Sequence, residues 1–295
     1  MIPVLVIAFN RPELARNQIT SIKSLGSPPI FLALDGGRNT SESGRVAAVR
    51  RQFEAADFPG GLTVRQAERN LGCAAAVVAG IDWIFSYHNA AIILEDDILV
   101  APTAYPFFEY TLDKYEHDQS IFMISALNQL GTWQGEGSYF LTTGGTWGWA
   151  TWRQKWQKYH ECDLSYEDTT SQDRLTELRS VLPRKVRRVE SGYRRTRAGR
   201  VDTWDYRWSI TRMINEGRSI APRVNLVTNV GFGARATHNT LRRRLTPPMK
   251  DLILPIEENP NLYLDIDYTK RADSRLKSAF HMREKQISEK VWKIL

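Results

Sequence analysis

Apolar positions come in short runs along the first 130 residues, each closed by polar residues and followed by helical spacing. Residues 3–9 form a continuous apolar run, which predicts a buried strand. Asn10, Arg11 and Pro12 read as a helix start, Asn10 as the cap and Pro12 in the first turn, with the helix running to about Ser24. Pro28 and Pro29 break the chain, and residues 30–34 are a second apolar strand that stops at Asp35. A helix over 41–56, a strand over 62–67 and a helix over 73–85 follow, the last marked by Val77, Ile81, Ile84 and Phe85. Residues 91–94 are a further apolar strand ending at Glu95, Asp96 and Asp97, before a helix over 107–115 and a short strand over 121–125. This alternation predicts an α/β fold, a mostly parallel sheet with helices on both faces. Such sheets bind ligands at the carboxyl ends of their strands. The polar groups collect there: Asn10 and Arg11, Asp35, then Glu95, Asp96 and Asp97.

The second half reads differently. A strand over 138–142 leads into a Gly/Trp-rich stretch, and six of the nine tryptophans lie between Trp147 and Trp208. Flat rings on a glycine-rich backbone suit a sugar platform, so Trp147 and Trp149 are candidates for one, with core packing as the alternative. Trp152 and Trp156 are four apart and read as one packed helix face. A helix over 203–216 stopping at Gly217, a strand over 220–227, a loop to about Thr246 and a C-terminal helix over 272–294 complete the reading.

Composition narrows the class. With 295 residues, 42% hydrophobic and 25% charged, the chain is neither disordered nor fibrous and needs no staple to fold. Two cysteines, Cys73 and Cys162, exclude a disulfide framework, a zinc ribbon and a C-x-x-C redox site, and fit a cytoplasmic setting. The apolar run from Ile2 to Phe9 is far shorter than the ~20 residues of a spanning helix and has no signal-peptide flanks, so a soluble or peripheral protein is expected. The net charge of +7 is uneven: residues 179–200 hold nine Lys or Arg against one acid, Glu190, and Arg242, Arg243 and Arg244 form a second cluster. Arg184, Lys185, Arg187, Arg188, Arg194, Arg195 and Arg197 suit an anionic membrane surface or a phosphorylated glycan, or else a solvated helix face. No nucleic-acid-binding motif accompanies the charge, so nucleic acid is not an expected partner.

Three consecutive carboxylates at a strand end raise one another's pKa unless a cation compensates them. Mg²⁺ or Mn²⁺, held by one or two carboxylates and by substrate phosphates, removes that cost. With Asp35 on the same rim, the pattern points to a metal–diphosphate substrate; the bland alternative is a solvated acidic turn.

The ordered set of residues 3–12 (PVLVIAFNRP), 31–38 (FLALDGGR), 69–73 (RNLGC), 92–102 (IILEDDILVAP) and 124–129 (ISALNQ) resembles the GT-A class of nucleotide-sugar glycosyltransferases. It is most similar to the Golgi N-acetylglucosaminyltransferase family that begins complex N-glycans, with its bacterial, haemolysin-like-labelled relatives. The likeness continues through 146–152, 204–208 and 229–238, and covers roughly residues 2–240. It implies a nucleotide-sugar-binding half over 1–130, an acceptor and catalytic half over 131–250 of the same domain, and a C-terminal extension over 251–295. It implies that Asp97 binds Mn²⁺ or Mg²⁺, Asp96 the ribose and Glu95 the donor sugar. Phe9, Asn10 and Arg11 would line the nucleotide, Asp35 would accept from the base, and Asn70 and Gly72 would approach the nucleotide. His238 would close over the diphosphate, with Arg242–Arg244 neutralising it. Inverting members use an acid as general base in a Trp-Asp-Asp-Trp-like stretch; Asp205 matches best, and Asp202 is the fallback, also readable as a helix N-cap. The implied activity is inverting, metal-dependent transfer of a sugar, from a UDP-sugar such as UDP-GlcNAc, to a hydroxyl of a glycan or glycolipid, at the inner face of the plasma membrane. The other readings are a sugar nucleotidyltransferase, which usually carries a Gly-rich basic loop missing at Asn10-Arg11-Pro12, and an inactive glycan- or membrane-binding relative.

Overall fold

The computed structural model describes residues 1–231 and 246–275. The first half follows the strand–helix alternation: β1 (Val4–Ala8), α1 (Pro12–Lys23), β2 (Ile30–Leu34), α2 (Thr40–Glu54), β3 (Leu62–Gln66), α3 (Cys73–Phe85), β4 (Ala90–Glu95), β5 (Ile98–Val100), α4 (Ala104–Lys114) and β6 (Ile121–Ser125). Then come β7 (Tyr139–Thr142), β8 (Trp149–Trp152), the helices α5 (Arg153–Ser165), α6 (Thr169–Val181), α7 (Pro183–Arg197) and α8 (Asp205–Ile214), and β9 (Arg218–Pro222) and β10 (Val227–Asn229).

Eight strands form one mostly parallel sheet in the order β3-β2-β1-β4-β8-β6-β9-β7; β10 and β5 pair separately. Strands β3, β2, β1 and β4 are parallel, and β8 inserts antiparallel between β4 and β6. β1 is buried along its whole length, as expected of a parallel strand covered on both faces. Its side chains alternate: Val4, Val6 and Ala8 pack with Ile22 of α1 and Val46 and Phe53 of α2, while Leu5 and Ile7 pack with Val77, Ile81 and Ile84 of α3 and with Trp156, Trp204 and Trp208. The result is three layers.

The order runs outward from β1 in both directions, to β2 on one side and β4 on the other. The crevice outside the carboxyl ends at such a reversal is where open α/β sheets bind ligands. Register fixes what stands there. Ala8 lies opposite Leu34 and Ile7 opposite Glu95, so Phe9 and Asp35 leave β1 and β2 at one level and Asp96 leaves β4 one residue earlier, beside Ala8.

Four readings need correction. The N-cap of α1 is Arg11, with no side-chain cap bond, and Asn10 precedes it. Trp149–Trp152 is a strand, not a loop, so Trp152 and Trp156 share no helix face; both are core. The apolar stretch 220–227 is two strands, because Pro222 ends β9 and the chain turns around buried Asn225 before pairing with β5. Asn225 holds that turn, donating to the Val227 carbonyl at 2.6 Å and accepting from Asn128 N–H at 3.1 Å. The last helix begins at residue 266, ahead of the expected 272, and its course past 275 lies outside the described residues. Both cysteines are free, Cys73 exposed and Cys162 buried. Among the described residues no helix is long and apolar enough to cross a membrane.

Candidate functional site

A cleft of about 880 Å³ opens at the carboxyl ends of β1, β2 and β4. Phe9, Asn10, Arg11, Asp35, Asn70, Gly72, Glu95, Asp96, Asp97 and Trp147 all line it. The sequence had separated these residues by up to 138 positions; parallel pairing brings them to one rim.

Arg11 is the electrostatic centre. Its Nε donates to Asp96 Oδ2 and one terminal nitrogen to Asp97 Oδ2, both at 3.1 Å, and the other terminal nitrogen pairs with Asp96 Oδ1. Burial works against the Arg11 charge, but Asp96 and Asp97 outweigh it and hold its pKa above the ordinary value. Burial pushes the Asp96 carboxyl up, with Arg11 pulling the other way. Glu95 is different. Its carboxylate accepts no hydrogen bond among the described residues, and burial, then Asp97, Asp96 and Asp205, push it up to about 8. Glu95 is therefore a neutral acid at pH 7 in the ligand-free protein, able to donate a hydrogen bond into the cleft.

This has a pH consequence with a defined sign. Glu95 binds its proton more tightly folded than unfolded, so its stabilising contribution is full below the unfolded value of 4.5 and is lost as pH rises through about 8. Glu95→Gln should flatten the fall in melting temperature over that window and make the protein the more stable form above pH 8. A parallel decline in both proteins would show that Glu95 titrates normally.

Asp35 organises the neighbouring wall. Its Oδ1 accepts from Gly36 N–H and Leu71 N–H and its Oδ2 from the Asn70 amide, all at 2.8 Å. Oδ1 is thus fully used, and Oδ2 retains a lone pair for a base or ribose donor in the cleft. The Arg38 guanidinium stands 5.7 Å from the centre of the Phe9 ring, and Arg45 Nε donates to the Asn10 carbonyl at 2.7 Å. Both arginines line the cleft and are held there by ion pairs, Arg38 with Glu42 and Arg45 with Glu13.

Asp202 also lines the cleft, but its carboxylate is committed. It accepts from Cys73 N–H at 2.7 Å and Ala74 N–H at 2.9 Å, capping α3 from 129 residues away. It is thus an N-cap, of α3 rather than of the helix that follows it. Gly72 permits the fit: its φ is +84°, and a Cβ there would sit 2.8 Å from Asp202 Oδ2. Asp202→Ala should lower stability by about 0.5–2 kcal/mol, the typical worth of a cap, read as a denaturant midpoint shift; an unchanged midpoint would contradict the capping role. The Cys73 thiol is pushed up to about 12, by desolvation first and then by Glu95, Asp202, Asp205 and Asp35, so it stays protonated.

Asp205 opens α8, with Thr203 Oγ1 donating to its Oδ1 at 2.6 Å. It is not among the residues that line the cleft, though its charge raises both Glu95 and Cys73. Trp149 is corrected: it is fully buried in β8 and stacks on Trp204 at 5.3 Å, so it is core, while Trp147 two residues earlier reaches the cleft. His238 and Arg242–Arg244 lie outside the described residues. Sequence reading missed Asn229 and Gly231, which line the cleft because β10 pairs with β5. Val230 N–H donates to the Asp97 carbonyl at 2.8 Å, and a Cβ on Gly231 would come within 2.2 Å of Asp97 Oδ2. Only glycine lets the chain pass that carboxylate.

Among the described residues no group of three or more His, Cys, Asp or Glu could hold a metal ion unaided. The donor chemistry at Asp97, a hard carboxylate oxygen facing the cleft, fits Mg²⁺ or Mn²⁺ that takes its other ligands from phosphate and water.

No protein-family model and no curated protein matches the sequence. Solved structures superpose on it weakly. An apo UDP-glucose pyrophosphorylase aligns at TM-score 0.39 and 9% identity, over 77% of this chain and 92% of that one. A UDP-glucose pyrophosphorylase complexed with UDP-glucose aligns at TM-score 0.27 and 11% identity, over 46% and 66%. At those scores the superposition transfers neither fold nor chemistry to this chain.

Proposed function

We propose that this protein is a nucleotide-sugar-dependent enzyme, and that it transfers the sugar to an acceptor hydroxyl with inversion. The observation that carries the reading is the meeting of Arg11, Asp35 and Glu95–Asp97 in one cleft at the reversal of strand order. Asp35 Oδ2 and the Asn70 side-chain oxygen would accept from a base and ribose, and protonated Glu95 would donate to a sugar hydroxyl. Asp97 would hold Mn²⁺ or Mg²⁺ against a diphosphate. The bound cation would stabilise charge on the leaving nucleoside diphosphate. Arg11 neutralises part of the acidic rim when the cleft is empty. Asp205 would serve as the base: one of its oxygens is engaged by Thr203, leaving the other to take a proton from the acceptor hydroxyl. Trp147 offers a ring face to donor or acceptor sugar. The N-acetylglucosaminyl donor, the glycan or glycolipid acceptor and a place at the cytoplasmic membrane surface are the finer parts of the same proposal, drawn from motif resemblance.

The second reading is a sugar nucleotidyltransferase, the class named by the superposed structures. Both reactions use the same donor cleft but break different bonds. The loop after β1 carries Asn10, Arg11 and Pro12 and no glycine, which favours glycosyl transfer. Product analysis separates them: UDP released from a UDP-sugar supports transfer, and pyrophosphate released from UTP with a sugar 1-phosphate supports the other.

A further inference from the structure

The basic stretch is a helix, α7, and most of its charges are accounted for. Arg197 pairs with Glu167 at 2.6 Å, and Glu190 is taken by Arg179 at 2.9 Å. Lys185 behaves otherwise. It turns inward and its ammonium hydrogen-bonds the Thr143 hydroxyl at the end of β7. Arg212 of α8 arrives at the same residue from the other side, donating to the Thr143 carbonyl at 2.6 Å and to Ser219 Oγ at 2.7 Å. Arg212 is only 5% exposed, has no carboxylate partner among the described residues, and leaves its Nε without a hydrogen bond. Arg188, one turn along from Lys185, completes the group, and the acid beside it among the described residues, Asp273, is already paired with Arg188 at 2.7 Å. Two cations therefore converge on Thr143, with the Arg188–Asp273 pair beside Lys185.

Buried cations without counter-charges are costly, and a group in that position either loses its proton or awaits an anion. Burial, then Arg188 and Arg212, pull Lys185 down to about 7, and burial pulls Arg212 down to about 10. Thr143 itself is partly exposed, as are residues 144–147 that lead to Trp147 in the cleft. Four residues of chain span at most about 14 Å, the length of two to three sugar units.

We propose that Lys185 and Arg212, with Arg188 at the rim, form an anion subsite for a phosphate or carboxylate carried by an acidic acceptor glycan, one to three sugar units from the hydroxyl that reacts. The word acceptor rests on the glycosyl-transfer reading; the anion site does not. The subsite draws Lys185 and Arg188 from α7 and Arg212 from α8.

The test uses the full chain and two probes at matched ionic strength: inorganic sulfate, whose charge is constant with pH, and glucuronate. Lys185 acylation is followed by mass spectrometry, with melting temperature in parallel. At about ten times its Kd a bound anion leaves about a tenth of the Lys185 free to react. Protection by sulfate supports a phosphate-like ligand, and protection by glucuronate supports a carboxylate. Sulfate affinity should fall as pH rises from 6 to 8.5, because Lys185, which faces Arg188, Arg212 and Asp273, loses its proton over that range. Lys185→Met should lose the anion-dependent melting shift, Lys185→Arg should keep it, and both should keep the shift caused by UDP. An unprotected Lys185 in the wild type with both probes, or a full anion shift in Lys185→Met, overturns the proposal. Loss of the UDP shift in the wild type, with anion protection intact, would instead remove the nucleotide-sugar reading and leave the anion site standing.

Discussion

Asp97→Asn should reduce sugar transfer on the order of 10³-fold or more and weaken nucleotide-sugar binding in the presence of Mn²⁺. A metal-stabilised leaving group is worth several kcal/mol, and each 1.36 kcal/mol is tenfold in rate. The fold should survive, because Asp97, Asp96 and Glu95 crowd one another and Arg11 keeps its paired contact with Asp96. Removing the Asp97 charge also removes the second largest influence raising Glu95, whose pKa should fall from about 8. Two readouts thus accompany the loss of rate: a metal-dependent part of the affinity that disappears, and a Glu95 titration that moves down. Near-normal turnover in Asp97→Asn would remove the metal assignment.

Asp205→Asn should lower kcat by about 10²–10⁴, the usual range for general-base catalysis, with little effect on donor affinity. Asp202 is committed, its two oxygens capping α3, which leaves Asp205, with one oxygen held by Thr203, as the proposed base. The isosteric amide preserves that bond and cannot take a proton. UDP binding measured directly should be unchanged, so the loss appears in kcat. Weaker UDP binding with preserved kcat would place Asp205 in the donor pocket and leave the base role to another acid.

How much of this was legible beforehand depends on whether the information is local. The bounds of β2, α3 and β6 follow from apolar runs and helical spacing, and Asp35 and Glu95–Asp97 fall at strand ends because strands 30–34 and 91–94 stop there. That most of the expected nucleotide-side residues share one cleft follows from parallel pairing, which the alternation predicts. Trp149 was not legible as core: a Gly/Trp-rich stretch reads as a ligand platform until β8 is known to insert between β4 and β6. Asp202 as the cap of α3 joins two distant segments, and no local pattern reveals such a contact. Asn229 and Gly231 were missed for the same reason. The basic stretch could have been read better. Val186, Val189 and Tyr193 of α7 repeat at three and four residues and are buried, a helical stripe that charge density concealed.

The central claim is that the cleft at the carboxyl ends of β1, β2 and β4 holds a nucleotide sugar. Thermal denaturation of the wild type with a panel of nucleotide sugars, free nucleotides and free sugars, with and without Mn²⁺, tests it most directly. The account predicts that a UDP-sugar at about 100 times its Kd stabilises the protein by about 2.7 kcal/mol, that Mn²⁺ strengthens the effect, and that free sugars alone do nothing. A protein whose melting temperature is unmoved by every nucleotide and nucleotide sugar, with or without Mn²⁺, would contradict it.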